Sequence, residues 1–445
     1  MSRSGEQRWC LGLSLGDGTW SVALRDRRLN RAGILGRRSA RGVSFVHPWV
    51  DGPKAWAEVL AIDPDGSDHH PPRLPKRVLD AGLPYRMAGA AIGYPLVQWH
   101  GQSIVLPNLL SVLAHSLTSL LDPDRVWVTA TGSVVPSGVL QSLSDVVVGY
   151  PTPCSEAFRF NNREVVLAAG LVANAGQVTN GAEGLAAAIG WDGVEGWGCC
   201  WVIDQQGDWT QVTLIDRDFG RRMGALHGIP DNPMGEAGWL DRLNSALNHL
   251  CCQSGAAPQK VERILVRGDV AHLSRSSELA QTLADYLRQK CPSAIVHWEP
   301  PSHTLGRLAL GLTLLLDRPP WDGTQPYDDY FLFASLLRQL SSEPQPLDRI
   351  LEALEHDGIH GRACRRQVQQ LLAGHIPPGL LPNPAQTPAS QDHPDYQALA
   401  ARSPFQVLAS GWYALDATAG TLWRRYLGLV WGRSSGSLLE PIGSS

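Results

Sequence analysis

"LGLSLGDGTWSVAL", Leu11 to Leu24, reads as an apolar strand, a glycine-rich turn and a second apolar strand. Two such runs around Asp-Gly predict a β-hairpin. Gly16 and Gly18 would let backbone N–H groups approach a phosphate, which is how a phosphate-binding hairpin is built. The pattern recurs in "CCWVIDQQGDWTQVTLID", Cys199 to Asp216. Each unit is followed by apolar strands and by helices. This duplication predicts two related lobes facing each other.

Around these hairpins the chain reads as α/β. "RAGILGRR" extends the first hairpin into a meander. "PLVQWHGQSIVL" is a second hairpin, and "PNLLSVLAHSLTSLL" a helix with Pro107 in its first turn. "DVVVGYP" is a continuous apolar strand of the kind buried on both faces. Glu156–Ala169 and "GAEGLAAAIG" read as helices. "WLDRLNSALNHLC", "VERILVRGD", "SSELAQTLADYLRQKC", "AIVHWEP" and "HTLGRLALGLTLLLD" alternate helix, strand, helix, strand, helix.

Bulk properties narrow the class. The chain has 445 residues and a net charge of -4, with 43% hydrophobic and 18% charged residues. That suits a soluble protein of two to three domains and argues against a general binder of nucleic acid or membrane surfaces. The eight cysteines include two adjacent pairs, Cys199-Cys200 and Cys251-Cys252, and no zinc spacing. "MSRSGEQRWC" lacks the apolar core of a secretory signal, and no run approaches the roughly 18 apolar residues of a spanning helix. The expected setting is cytoplasmic and reducing, with no membrane and no nucleic acid as partner.

Two hairpins, one per lobe, and a third glycine turn after "RILV" resemble the actin-like ATPase superfamily. In detail the chain resembles the nucleotide-binding domain of DnaK-type heat-shock chaperones, from about Trp9 to Asp317 with gaps. The closest segment is "VVVGYPTPCSEAFRFNNREVVLAAGLVANAGQVTNGAEGLAAAIG". It carries the family's strand, Pro151, Arg159 eight residues later, Gly170-Leu171, then Glu183 before Ala186-Ala187-Ala188. The resemblance implies that Pro151 and Arg159 couple nucleotide state to a neighbouring domain, and that Glu183 contacts metal-bound water. It implies ATP or ADP with Mg²⁺ as ligands. Gly16, Asp17, Gly18, Gly207, Gly235, Gly268 and Gly306 would line the nucleotide.

ATP hydrolysis needs backbone amides around the phosphates, Mg²⁺ held through carboxylates and waters, and a positive charge on the transferred group. Glu183 and Asp204 match family carboxylates, and Lys76 in "LPKR" matches the phosphate-contacting lysine by spacing; Lys54 is an alternative. Asp17 and Asp204 are the candidate metal ligands. Departures from the family are equally specific. Ser14 stands where the family has a metal-organising Asp. Gln206 and Asp208 replace glycines, and Arg267 and Asp269 alter the adenosine-side turn. "RILVRG" follows "MGEAGWLDRL" after only about 20 residues, which leaves no room for the adenine-stacking subdomain.

Other readings compete for some residues. "GLSLG" matches the GxSxG nucleophile elbow, which would make Ser14 a nucleophile if a helix followed directly. His356, His360 and Cys364 are spaced four apart like metal ligands, though Gly358 and Gly361 interrupt the helix they would need. Arg362, Arg365 and Arg366 form a basic cluster beside them.

"RPPWDGTQPYDD" reads as a linker, placed at 319–328. Residues 329–445 read as a small helical module with a Pro-rich linker at 376–394, unlike the family's β-sandwich substrate domain. Tyr396 to Trp431 reads as one or two helices with an aromatic stripe, including Trp412, Tyr413, Trp423, Tyr426 and Trp431. The fold expected is a two-lobed actin-like ATPase fold with a reduced second lobe (first lobe about 1–150 plus the final helix, second about 151–300) and this module. The function expected is a DnaK-related pseudo-ATPase scaffold acting through protein contacts made by residues 319–445. An active Mg²⁺-dependent chaperone-like ATPase is the alternative.

Overall fold

The computed structural model describes residues 8–49, 76–82, 85–86, 92–93, 95–99, 102–151, 154–192, 198–206, 209–216, 222–230, 235–254, 257–268, 278–299, 301–316, 327–356, 359, 361, 364–376, 402–409 and 411–430. The opening hairpin is β1 (Trp9–Gly16) and β2 (Thr19–Asp26), turned at Asp17-Gly18, and it continues into β3 (Arg31–Ser39). With β4 (Trp127–Thr129), β5 (Val134–Val135), β6 (Leu143–Tyr150) and β7 (Val178–Ala182) it forms a mixed sheet of order β5-β4-β3-β2-β1-β6-β7. Short strands Gly42–Ser44 and His47–Pro48 join at β3 and β2. β1, β6 and β7 run parallel, while β1, β2 and β3 form an antiparallel meander.

The second hairpin, β8 (Cys199–Gln206) and β9 (Trp209–Asp216), builds a second sheet with β10 (Arg222–Pro230), β11 (Arg263–Gly268) and β12 (Ile295–Trp298). Its order is β10-β9-β8-β11-β12, again a meander on one side of the first strand and parallel strands on the other. Five consecutive strands of the first sheet, β3-β2-β1-β6-β7, thus have the same order and directions as this whole sheet.

Helices cover these sheets where the apolar patterning requires. α1 (Leu106–Thr118) begins with proline in its first turn and buries Leu109, Leu113 and Leu117. α2 (Glu156–Ala168) is buried on all sides from Glu156 to Val166, the signature of a helix enclosed by protein. α3 (Glu183–Asp192) follows β7 directly. α4 (Gly235–Ser254) and α5 (Glu278–Lys290) cover the second sheet, with Leu243, Leu247, Leu283 and Leu287 packed on Trp201, Ile203 and Val266. α6 (Pro301–Leu315) packs on β1, β2 and α3.

α3 and α6 bridge the two sheets: α3 also touches β8 and β9, and α6 touches β11. Their backbones approach so closely that a Cβ at Gly311 would overlap the Ala186 carbonyl. This explains the small-residue run "GLAAAIG", since bulkier side chains would part the helices.

The C-terminal part differs from the all-helical module expected. It comprises α7 (Asp329–Gln339), β13 (Gln345–Pro346), α8 (Leu347–His356), α9 (Arg365–Leu372), β14 (Phe405–Ala409), β15 (Trp412–Leu415) and α10 (Ala417–Val430). The strands form a sheet of order β13-β15-β14. Helical reading of Tyr396–Trp431 therefore fails over Phe405–Leu415. Gly411, at φ +81°, makes a turn there, and the aromatic and β-branched residues around it suit a pleated surface. Trp423, from the same stripe, is buried beside Phe333. Tyr327 and Asp328, assigned to the linker, are also buried. The Pro-rich stretch lies outside the described residues except for Ile376.

None of the eight cysteines is in a disulfide. No helix among the described residues is long and apolar enough to cross a membrane.

Candidate functional site

Several predicted site residues come together near the helices that bridge the two sheets. Lys76 opens a 3-10 turn, Lys76–Asp80. Its backbone N–H donates to Asp17 Oδ1 at 2.6 Å, tying that turn to the opening hairpin. Its side chain forms a buried ion pair with Glu183. Glu183 starts α3 and lies over Gly149, where a Cβ would stand 2.8 Å from its Oε1.

Asp204 occupies β8 directly opposite Arg267 of the parallel strand β11. Arg267 Nη1 lies 3.6 Å from Asp204 Oδ2, and its Nε lies 3.2 Å from Glu299 Oε2. Arg307, partly exposed, reaches the other Glu299 oxygen at 4.0 Å. Gly268 follows Arg267 at φ +79°, and a side chain there would overlap the Gln205 carbonyl. The glycine of "RILVRG" is thus needed by the turn itself.

Lys76, Glu183, Asp204, Arg267 and Glu299 are all buried; Arg267 has no exposed surface. An ion removed from water without a partner costs several kcal/mol or more, so burial on this scale requires mutual neutralisation. Lys76 serves Glu183, and Arg267 serves both Asp204 and Glu299. The predicted acids and lysine do meet, but they meet as internal ion pairs.

Those pairs do not fit the group the resemblance implies. A Mg²⁺–nucleotide site needs carboxylates free to order metal waters and a lysine free to meet phosphate. Here Glu183 holds the lysine, a guanidinium lies between Asp204 and Glu299, and Asp17 accepts the Lys76 amide. Among the described residues no group of three or more His, Cys, Asp or Glu is placed to hold a metal ion.

Remaining predicted residues fall elsewhere. Gly16 ends β1, and Gly18, at φ +65°, lies in the first turn. Gly235 opens α4. Gly306 sits within α6 against Ile34 of β3. Gly207, Asp208, Asp269, Lys54, His360 and Arg362 lie outside the described residues. Ser14 is fully buried in β1, opposite Ser21, and its Oγ has no hydrogen-bond partner. The strand continues into a hairpin and not a helix, so the nucleophile-elbow geometry is absent. Cys364 is buried at the start of α9.

Pro151 and Arg159 lead to a second charged region, where α2 meets the C-terminal part. Arg159 pairs with Glu156 and lies 5.5 Å from the Tyr150 ring centre. Glu156 Oε2 accepts the Asp329 N–H at 2.6 Å. One turn on, Arg163 Nη1 meets Asp328 Oδ2 at 2.6 Å, between the rings of Phe160 and Phe331 at 4.8 Å each. Asp328 Oδ1 also caps α7 by accepting the Phe331 N–H at 2.7 Å. Asp329 is held by Gln367.

Glu299, Arg163 and Asp328 were not singled out by sequence reasoning. The usable signal for Glu299 was Arg267 itself: an arginine ending an apolar strand demands nearby acids.

No family model matches the chain, and no curated protein matches it.

The buried carboxyls set a pH dependence. Burial pushes Glu183 above its ordinary value of 4.5, with Lys76 pulling it back. Glu299 is raised by burial and opposed by Arg267. The folded state therefore keeps these protons to higher pH than the unfolded chain. Their contribution is full below the unfolded value and is lost as pH rises through the folded one. As pH rises above the ordinary value of 4.5, the urea stability that these carboxyls contribute is expected to fall, and Glu183→Gln to flatten that fall. An unchanged slope in the variant would show that Glu183 has no part in it.

Proposed function

We propose that this chain is a DnaK-related scaffold of the actin-like ATPase superfamily whose nucleotide cleft has become a set of internal ion pairs. Two sheets of one strand order, bridged by a close helix pair, support the fold assignment. The carrying observation for function is Arg267. Fully buried against both Asp204 and Glu299, its charge engages Asp204, one of the two acids a metal would need. Opening the cleft to Mg²⁺–ATP would break the Lys76–Glu183 and Arg267–Asp204 pairs. Separating a buried pair costs roughly 3–5 kcal/mol when one partner is left alone. The scaffold acts through protein contacts, with residues 319–445 as the contact-making part.

The test is phosphate release from Mg²⁺–ATP by purified full-length protein. Turnover is expected at background, and equally so for Glu183→Gln and Asp204→Asn. Release above background that either substitution abolishes would restore the active-ATPase reading.

A further inference from the structure

Nine large apolar side chains are exposed among the described residues, and three share one hairpin: Val407 (56%), Leu408 (52%) and Trp412 (45%). β14 is the edge of its sheet, and among the described residues no strand pairs with its outer side. Gln406 to Ala409 are exposed. From Phe405 to Leu415 the chain has no charged residue and no proline. A bulge between Val407 and Ala409 is its one irregularity. Edge strands that stay unpaired are ordinarily blunted by charge, proline or a covering element. Among the described residues β14 carries neither charge nor proline and its outer edge pairs with no strand, although α9 packs against it.

We propose that a second copy of this chain occupies the edge, its β14 pairing antiparallel with this one about a two-fold axis. Unpaired backbone N–H and C=O groups on an edge call for another strand. A two-fold contact sets the same residues against each other, so any charge on the strand would meet its like. An uncharged strand meets none, and Val407 and Leu408 gain apolar cross-strand neighbours. The result is one continuous sheet from two three-stranded ones. Five residues span only about 17 Å, so micromolar association is expected. The contact is independent of whether the cleft takes nucleotide.

Sedimentation velocity of the full chain tests this between about 1 and 100 μM, the range in which such a dimer would form and dissociate. Wild type is expected to pass from monomer to dimer. Val407→Lys and Val407→Glu are each expected to weaken association roughly tenfold, because like charges then face across the axis. An equal mixture of the two variants should recover the dimer, which misfolded chains could not do. Three results overturn the proposal: a wild type monomeric throughout, a dimer indifferent to Val407→Lys, or a mixture that stays monomeric. The first would leave the edge to a foreign strand.

Discussion

Replacing Arg267 by methionine is expected to destabilise the protein by roughly 3–5 kcal/mol, among the largest effects of any single substitution. The methionine fills much of the volume but leaves Asp204 and Glu299 buried without their shared cation. Arg267→Lys is expected to recover only part of the loss. An ammonium is a compact point charge and cannot span two carboxylates as a planar guanidinium does. Neutralising all three together, as Arg267→Met with Asp204→Asn and Glu299→Gln, is expected to recover more than Arg267→Lys does, because a buried charge set is often replaceable as a unit. Urea unfolding of the four proteins decides the matter. A loss under about 1 kcal/mol for Arg267→Met would mean that water or some other group already serves the two acids.

The second large effect is expected at α2. Arg163→Met removes the cation facing Asp328, whose carboxyl burial already pushes upward against the pull of Arg163. The pair joins α2 to the start of α7, so the expected loss of roughly 3–5 kcal/mol should appear as release of the C-terminal part. Limited proteolysis, with cleavage sites read by mass, is expected to show faster cutting within residues 327–430 in the variant. Asp328→Asn combined with Arg163→Met is expected to cost clearly less than the two single changes added together, since the two residues share one interaction. Strict additivity would show that they are held by other partners.

Much of this architecture was legible in the chain. Hairpins at 9–26 and 199–216 were set by apolar runs around short polar turns, and the helices from Leu106 to Leu315 by caps and periodicity. The duplication pointed to two related lobes; the structure shows an α/β fold in which five strands of the first sheet repeat the strand order of the second. Phe405–Leu415 was misread because a short apolar run with aromatics fits a helix face or a strand equally well, and only the pairing of β14 with β15 and of β15 with β13 decides it. Glu183, Asp204 and Lys76 could be named from their spacing. What they do could not, because Arg267 and Glu299 are about thirty residues apart in sequence and only the parallel strands bring their neighbourhoods together. Arg163 and Asp328 were harder still: an Arg in a helix ordinarily reads as solvated surface, and α2 is buried because α1, the Lys76–Asp80 turn, β6, β7 and α7 together enclose it.

The most direct measurement is a calorimetric titration of the full chain with ATP, with and without Mg²⁺, alongside thermal unfolding at millimolar nucleotide. A ligand bound only by the folded state must raise the melting temperature by mass action. No saturable heat and no shift in melting is the result expected of a cleft whose charges already satisfy one another. Saturable, Mg²⁺-dependent binding with a raised melting temperature would contradict it, and would mean that the Lys76–Glu183 and Arg267–Asp204 pairs open to admit the nucleotide.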